Sequence, residues 1–179
     1  MSTFGSDPEF MIGKDGKIHS AIGIVAGSKK NRIAFSGHEF FYDNVMAECA
    51  IKPGKNKKQV LDNFKECFSL FAGMVDPFRL ILQASHDFSS KDLKHPDAKE
   101  VGCDPDWCAY RIKQMPAPKE EIRDGSFRSC GGHIHLGDKA LLTDSPDPYR
   151  VVYMADLLLG VSSLWLDKDP TSAARRGLY

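Results

Sequence analysis

Alternating and helical patterns of apolar residues divide the chain into predicted strands and two long helices. Alternation predicts strands over residues 4–12, 17–25, 32–35, 40–51, 78–84 and 127–137. Residues 56–75 carry apolar side chains at helical spacing, with Asn56 as the predicted N-cap and Gln59 in the capping-box position. A second helix is predicted over residues 148–167, where an Asp-Pro pair supplies the N-cap and the first helical position.

The first predicted strand carries two carboxylates on one side. Asp7 and Glu9 have the same parity, whereas Phe10 and Pro8 point to the other side, and Pro8 favours an edge or bulged strand. Two such charges 4 Å apart repel by about 1–4 kcal/mol, and a divalent cation would turn that repulsion into a binding site. The alternatives are two solvated surface acids, or a vector-derived segment over residues 5–10.

The last predicted strand contains two histidines at alternate positions. His133 and His135 should share one face, with side chains roughly 6–7 Å apart, while Ile134 and Leu136 enter the core. Imidazole binds metals through a neutral nitrogen and also pairs with anions. The two rings are therefore candidates for contact with a metal or a phosphate, and the alternative is a half-buried strand with two polar residues.

The predicted strand 40–51 carries Asp43, Asn44 and Glu48. Glu48 stands among apolar residues, and a carboxylate in such surroundings needs a partner, either a basic side chain or a metal. Asn44 and Glu48 share parity, so Asp43 should face the other way unless a bulge intervenes.

Charge and cysteine usage narrow the range of partners. The 24 Lys and Arg residues balance 24 Asp and Glu residues, so the chain gives no case for binding nucleic acid or a membrane surface. Its five scattered cysteines are typical of a reducing cytoplasm, and it has no secretory signal pattern. The apolar residues 157–166 are expected to be too short to span a bilayer.

Four segments, taken in order, resemble the motifs of the bacterial and phage amidoligases called COOH–NH2 ligase type 2. Their catalytic domain is similar to that of the glutamine synthetases. The segments are the Asp-Pro-Glu-Phe of residues 7–10, the Asp-Asn-x-x-x-Glu of 43–48, the Gly-Cys-Asp-Pro-Asp of 102–106 and the Gly-Gly-His-Ile-His-Leu of 131–136.

The resemblance implies one α+β domain over residues 1–179, with a curved, mainly antiparallel sheet and both long helices packed on its outer face. It implies a ligase that uses ATP and Mg²⁺ or Mn²⁺ to join a carboxylate to an amine through an acyl phosphate. The substrates would be small molecules, peptides or proteins, oligomers could form, and the location would be the cytoplasm, or the host cytoplasm or virion for a phage protein. In the family a further strand follows the Arg-Arg-x-x-Tyr segment, so the chain is expected to continue past Tyr179.

The resemblance also implies roles for individual residues. The metal ligands would be Asp7, Glu9, Glu48 and His133, with His133 and His135 next to ATP. Catalytic arginines would be Arg175 and Arg176, with Arg128 as a third candidate. The substrate would be held by Asp43, Asn44, Asp104 and Asp106, and the alternative for Asp43 and Asn44 is that they form the turn of their strand. Asp104 and Asp106 suit a structural turn equally well. Two alternatives remain: a zinc hydrolase that uses His133, His135 and a carboxylate, or a structural or binding protein that keeps the ligase fold.

Overall fold

The sheet is built around one long strand near the N-terminus. The computed structural model describes residues 1–100, 107–115, 125–142 and 147–172. In its first half, β1 (Thr3–Lys14) lies between β5 (Met46–Gly54) and β11 (Gly132–Gly137); further along it pairs with β2 (Lys17–His19) and β6 (Arg79–Ile81). β1 is a central strand and not an edge strand, but its pairing with β5 is irregular between Phe4 and Ser6, in line with the alternative prediction of a bulged strand.

The sheet continues from β5 through β4 (His38–Asp43) to β3 (Ile33–Phe35). Two small sheets are formed by β7 (Ser85–Asp87) with β10 (Phe127–Ser129), and by β8 (Trp107–Cys108) with β9 (Lys113–Gln114). All these strand pairs are antiparallel, which confirms an α+β fold with an antiparallel sheet. The predicted strands 17–25 and 78–84 are shorter than expected, since only residues 17–19 and 79–81 pair with β1. The prediction of one strand over residues 127–137 was wrong, because the chain forms β10 and β11 there, in two different sheets.

The predicted strand 40–51 is a hairpin. β4 ends at Asp43 and β5 begins at Met46, with Asn44 in the turn at a φ of 56°. Asparagine tolerates this left-handed conformation better than most residues. Because the chain reverses here, Asp43 and Glu48 lie on the same side of the sheet, and the expectation that Asp43 faces away was wrong.

The first long helix, α1 (Lys57–Met74), forms as predicted. The side chain of Asn56 accepts the Gln59 backbone N–H at 2.9 Å, and the Gln59 side chain accepts the Lys55 N–H at 2.9 Å. One face of α1 packs on β5 and β1 to enclose the larger core, which includes Phe10, Ile12, Phe40, Cys49, Cys67 and Phe71. A smaller core lies on the opposite face of the sheet and includes Met11, Val45, Met46, Phe88, Ala98 and Cys130.

The second long helix forms, but within the described residues it does not pack on the main sheet. It consists of α2 (Asp147–Ala155), a π-helical segment (Asp156–Gly160) and α3 (Val161–Leu166). Over Pro148–Leu166 it has 19 residues, and by length and composition alone it could cross a membrane. The expectation concerned residues 157–166 alone, whereas the apolar helix begins well before residue 157. None of this span is buried within the described residues.

Candidate cation site

Three carboxylates converge on the sheet face opposite α1. Glu9 comes from β1, Glu48 stands opposite it on β5, and Asp43 lies at the end of β4. One oxygen from each of the three side chains lies within 4.8 Å of the others. Two of these residues are predicted metal ligands, and the third, Asp43, was expected to hold substrate.

Glu9 is held by the glycines that precede the histidine strand. The Gly131 N–H donates to Glu9 Oε2 at 2.6 Å, and the Glu9 N–H donates to the Gly131 carbonyl at 3.1 Å. A Cβ on Gly132 would lie 3.1 Å from the Asp7 carbonyl oxygen and 3.2 Å from Pro8 Cα. The close approach of this backbone, predicted from the paired glycines, therefore brings β11 against the carboxylates.

Asp43 has a basic partner that the sequence did not reveal. Lys29 Nζ lies 2.6 Å from Asp43 Oδ2, and the Lys29 N–H donates to the Tyr42 carbonyl at 3.0 Å. In sequence, Lys29 belongs to a polar loop with no phosphate-binding spacing, so its partner depends on how that loop returns to β4. The ion pair fixes one edge of the carboxylate cluster.

Glu48 is the most perturbed of the three acids. It is 7% exposed, and within the described residues its carboxyl group has no hydrogen-bond or ion-pair partner. Burial, followed by the charges of Glu9 and Asp43, raises the pKa of Glu48 to about 8, against a smaller opposing effect of Lys29. Glu48 is thus mostly protonated at neutral pH, and a cation bound to the cluster would favour its ionised form.

The donor set fits a hard divalent cation. Carboxylate oxygens bind Ca²⁺ at 2.3–2.6 Å and Mg²⁺ at 2.0–2.1 Å, so two oxygens on one ion are at most about 4–5 Å apart. The three oxygens lie within 4.8 Å of one another, close enough for one such ion to contact all three after small side-chain rotations. A set made only of oxygens favours Mg²⁺, Mn²⁺ or Ca²⁺ over zinc.

The two histidines share one face of β11, as predicted, with ring centroids 6.2 Å apart. His133 stands opposite Asp7 in the sheet, and His135 Nε2 lies 2.9 Å from Asp7 Oδ2. Asp7 is therefore paired with His135 and is not one of the three clustered acids. Within the described residues, no group of three metal-ligating side chains includes a histidine, so the ligand set of the zinc hydrolase is not assembled there.

Ile134 and Leu136 do not enter the core. They are 64% and 39% exposed, because β11 is an edge strand and α1 covers the sheet at β5. The alternation of the strand predicted their common face correctly, but whether another element covers that face is a property of the tertiary fold.

Hydrogen bonds of Asn44 and Arg128 join three segments: the turn between β4 and β5, residues 98–100 and residues 125–128. Asn44 accepts from its neighbour Val45 N–H at 2.8 Å and from Arg128 Nε at 3.1 Å, and it donates to the Glu100 carbonyl at 2.6 Å. Arg128 is 6% exposed and also donates to the carbonyls of Ala98 at 2.8 Å and Gly125 at 2.7 Å. Burial lowers its pKa. These contacts favour structural roles over the predicted substrate-binding and catalytic ones.

Four predicted site residues, Asp104, Asp106, Arg175 and Arg176, lie outside the described residues. No family model matches the chain, and no curated protein or solved structure matches it either. The arrangement of Glu9, Asp43 and Glu48 is that of a candidate site for a divalent cation.

Proposed function

We propose that this chain is an ATP-dependent carboxylate–amine ligase whose divalent cation is held by Glu9, Asp43 and Glu48. The observation that carries the proposal is the convergence of these three acids around the buried, unpaired carboxyl of Glu48. Acids placed in this way destabilise the fold unless a proton or a cation compensates them. Residues that are costly for the fold and lie together on one sheet face are typical of functional sites.

Each residue of the site has a distinct role in this proposal. Glu9, Asp43 and Glu48 would hold Mg²⁺ or Mn²⁺, which, when bound, would neutralise the phosphate oxygens of ATP. The Gly131 N–H would hold one oxygen of the Glu9 carboxylate, Oε2, in place. His133 lies two residues beyond Gly131 on the exposed strand, about 7 Å along the backbone, where it can donate to a phosphate.

Asp7 would act through His135. Its carboxylate lies 2.9 Å from His135 Nε2, an arrangement that fixes the orientation of the ring and favours the tautomer with the proton on Nε2. His135 would then present its Nδ1 side toward solvent or a ligand, while His133 remains the candidate for direct contact with phosphate.

The reaction itself rests on the resemblance of four ordered motifs to the amidoligases. A carboxylate oxygen of the acid substrate would attack the γ-phosphorus of ATP, and ADP would leave. The nitrogen of the amine would then attack the acyl carbon, lose a proton and expel phosphate as the amide forms. The protein contributes positioning and compensation of charge, which phosphoryl transfer chiefly requires.

The test is a coupled ADP-release assay on protein expressed from its complete reading frame, with Mg²⁺ or Mn²⁺ and mixed amino acids and peptides as acceptors. We expect release of ADP and an amide product, and His133→Ala should lower turnover by roughly 10²–10³. Asp62→Asn on the exposed face of α1 is the matched control and should leave turnover unchanged. AMP release would reject the acyl phosphate, and cation binding without nucleotide turnover would replace the ligase with a binding role.

A further inference from the structure

The fold brings a lysine to the edge of the carboxylate cluster. The ammonium group of Lys29 lies 2.6 Å from Asp43 Oδ2, and the Lys29 side chain is 43% exposed, so it borders both the cluster and solvent. Its charge also reaches Glu48. Burial and the charges of Glu9 and Asp43 raise the pKa of that carboxyl, and Lys29 opposes them in part. The positive charge therefore acts on the cluster as a whole and not on Asp43 alone.

The loop that carries Lys29 is held against β4 by its backbone. The Tyr42 N–H donates to the Gly27 carbonyl at 2.9 Å, and the Lys29 N–H donates to the Tyr42 carbonyl at 3.0 Å. Reciprocal backbone hydrogen bonds of 2.9 and 3.1 Å between Ser28 and Asn31 close the turn. A Cβ on Gly27 would lie 2.4 Å from a backbone carbonyl oxygen of β4, so this close approach requires glycine. The backbone of Lys29 is therefore placed beside the cluster before any ligand binds.

The neighbouring lysine in the same turn has a different partner. Lys30 Nζ lies 2.8 Å from Glu100 Oε1, and its side chain is 77% exposed. Two adjacent lysines thus take separate carboxylates, and it is Lys29 whose partner belongs to the cluster. The pair provides a matched comparison, since replacing either lysine removes the same charge from the same turn.

The charge of the cluster gives Lys29 a role once a cation is bound. Three ionised carboxylates around one divalent cation leave a net negative charge, which would repel a phosphate group. The positive charge of Lys29 compensates it and makes the loaded site neutral. An ammonium group on a flexible stem is also a good donor to phosphate oxygens, and it can move from a carboxylate to a nearby anion.

We propose that Lys29 binds a phosphate of the nucleotide that the cation-loaded cluster accepts, and that its ammonium group exchanges Asp43 for a phosphate oxygen as the nucleotide arrives. This inference deepens the proposed ligase function and rests on it. Arg128, which was expected to supply such a contact, is 6% exposed and donates to backbone carbonyls. Lys29 is half exposed and already lies at the cluster, so it is the better placed of the two.

The test is calorimetric titration of the Mn²⁺-loaded protein with a non-hydrolysable ATP analogue, together with Mn²⁺ binding in the absence of the analogue. We expect Lys29→Gln to bind the analogue about tenfold or more weakly, because it loses a charge-assisted contact. The same variant should bind Mn²⁺ alone at least as tightly as the unaltered protein, because a repelling charge is removed. Lys29→Arg keeps the charge and should restore most of the affinity for the analogue. Lys30→Gln is the control and should leave both affinities within about twofold.

The two titrations separate this role from a structural one. Weaker Mn²⁺ binding by Lys29→Gln would show that Lys29 only holds Asp43 in place, which would overturn the inference. Equal affinity of Lys29→Gln and Lys30→Gln for the analogue would also overturn it, while the cation site and the proposed ligase would stand. Failure of the unaltered, Mn²⁺-loaded protein to bind the analogue would instead reject the proposed ligase, and the role of Lys29 with it.

Discussion

Glu9 and Glu48 stand directly opposite each other across the antiparallel pair of β1 and β5. Opposed residues of such a pair have Cβ atoms about 4.5–5.5 Å apart, and like charges there are destabilising. Lys29 pairs with the third acid, Asp43, while Glu48 has no ion pair within the described residues. A proton on Glu48 and a cation in the cluster are therefore alternative ways to relieve the same repulsion.

Protonation of Glu48 should make stability depend on pH. Its pKa is about 8 in the folded protein against 4.5 ordinarily, so between these values the folded state keeps a proton that the unfolded chain has lost. Without a cation, this group alone lowers the free energy of unfolding as pH rises through this window, by up to about 1.4 kcal/mol per pH unit. Urea unfolding from pH 5 to pH 9 measures the effect. Glu48→Gln should remove this fall, and an unchanged slope in that variant would show that another group is responsible.

Cation binding should release the same proton. Below pH 8 we expect the affinity for Mg²⁺ or Mn²⁺ to rise up to about tenfold per pH unit, and above pH 8 to level off. Titrations near pH 6.5 in buffers with different ionisation enthalpies count the protons, and the expected number approaches one per cation. No released proton, with the cation still bound, would mean that Glu48 is already ionised or is not a ligand.

Arg128 should matter for stability. Replacing it with Met removes the Arg128 donors to the carbonyls of Ala98 and Gly125, and one of the two donors to Asn44 Oδ1. The expected loss in the free energy of unfolding is about 2–4 kcal/mol, measured by urea denaturation. Arg79→Met, at an exposed position of β6, is the control and should cost less than about 0.5 kcal/mol. Equal small effects would show that Arg128 is not needed to join these segments.

Loss of the N-cap of α1 should lower the free energy of unfolding by less than loss of Arg128 does. Asn56→Ala removes the acceptor of the Gln59 N–H and should cost about 1 kcal/mol. Lys57→Ala, at the next position, keeps the cap and serves as the comparison in thermal unfolding. If both substitutions had the same effect, the loss would reflect the exposed first turn and not the cap.

Local patterns in the sequence predicted those parts of the fold that depend on near neighbours. The helix beginning after Asn56 is specified by its cap and by apolar spacing, and the common side of Asp7 and Glu9 follows from strand geometry. The 6–7 Å expected between the side chains of His133 and His135 is likewise a local spacing, and the observed ring separation is 6.2 Å.

The rest of the site depends on contacts between distant segments. The Asp-Asn pair at residues 43 and 44 contained the signal for a turn, but the apolar run around it favoured one continuous strand. Because the predicted strand had no turn at this point, it placed Asp43 on the opposite face from Glu48. The exposure of Ile134 and of the second long helix depends on which elements lie beside them, and a periodic pattern does not contain that information.

The most direct measurement is stoichiometric Mn²⁺ binding by calorimetry or electron paramagnetic resonance at pH 8.5, where Glu48 is mostly ionised. We predict one Mn²⁺ per chain, with affinity lowered at least tenfold in both Glu9→Gln and Glu48→Gln, because each removes one of three clustered ligands. The control Asp62→Asn removes an exposed carboxylate on α1 and should bind as the unaltered protein does. Absence of stoichiometric binding, or the same loss of affinity in all three variants, would contradict the assignment of this cluster as a cation site.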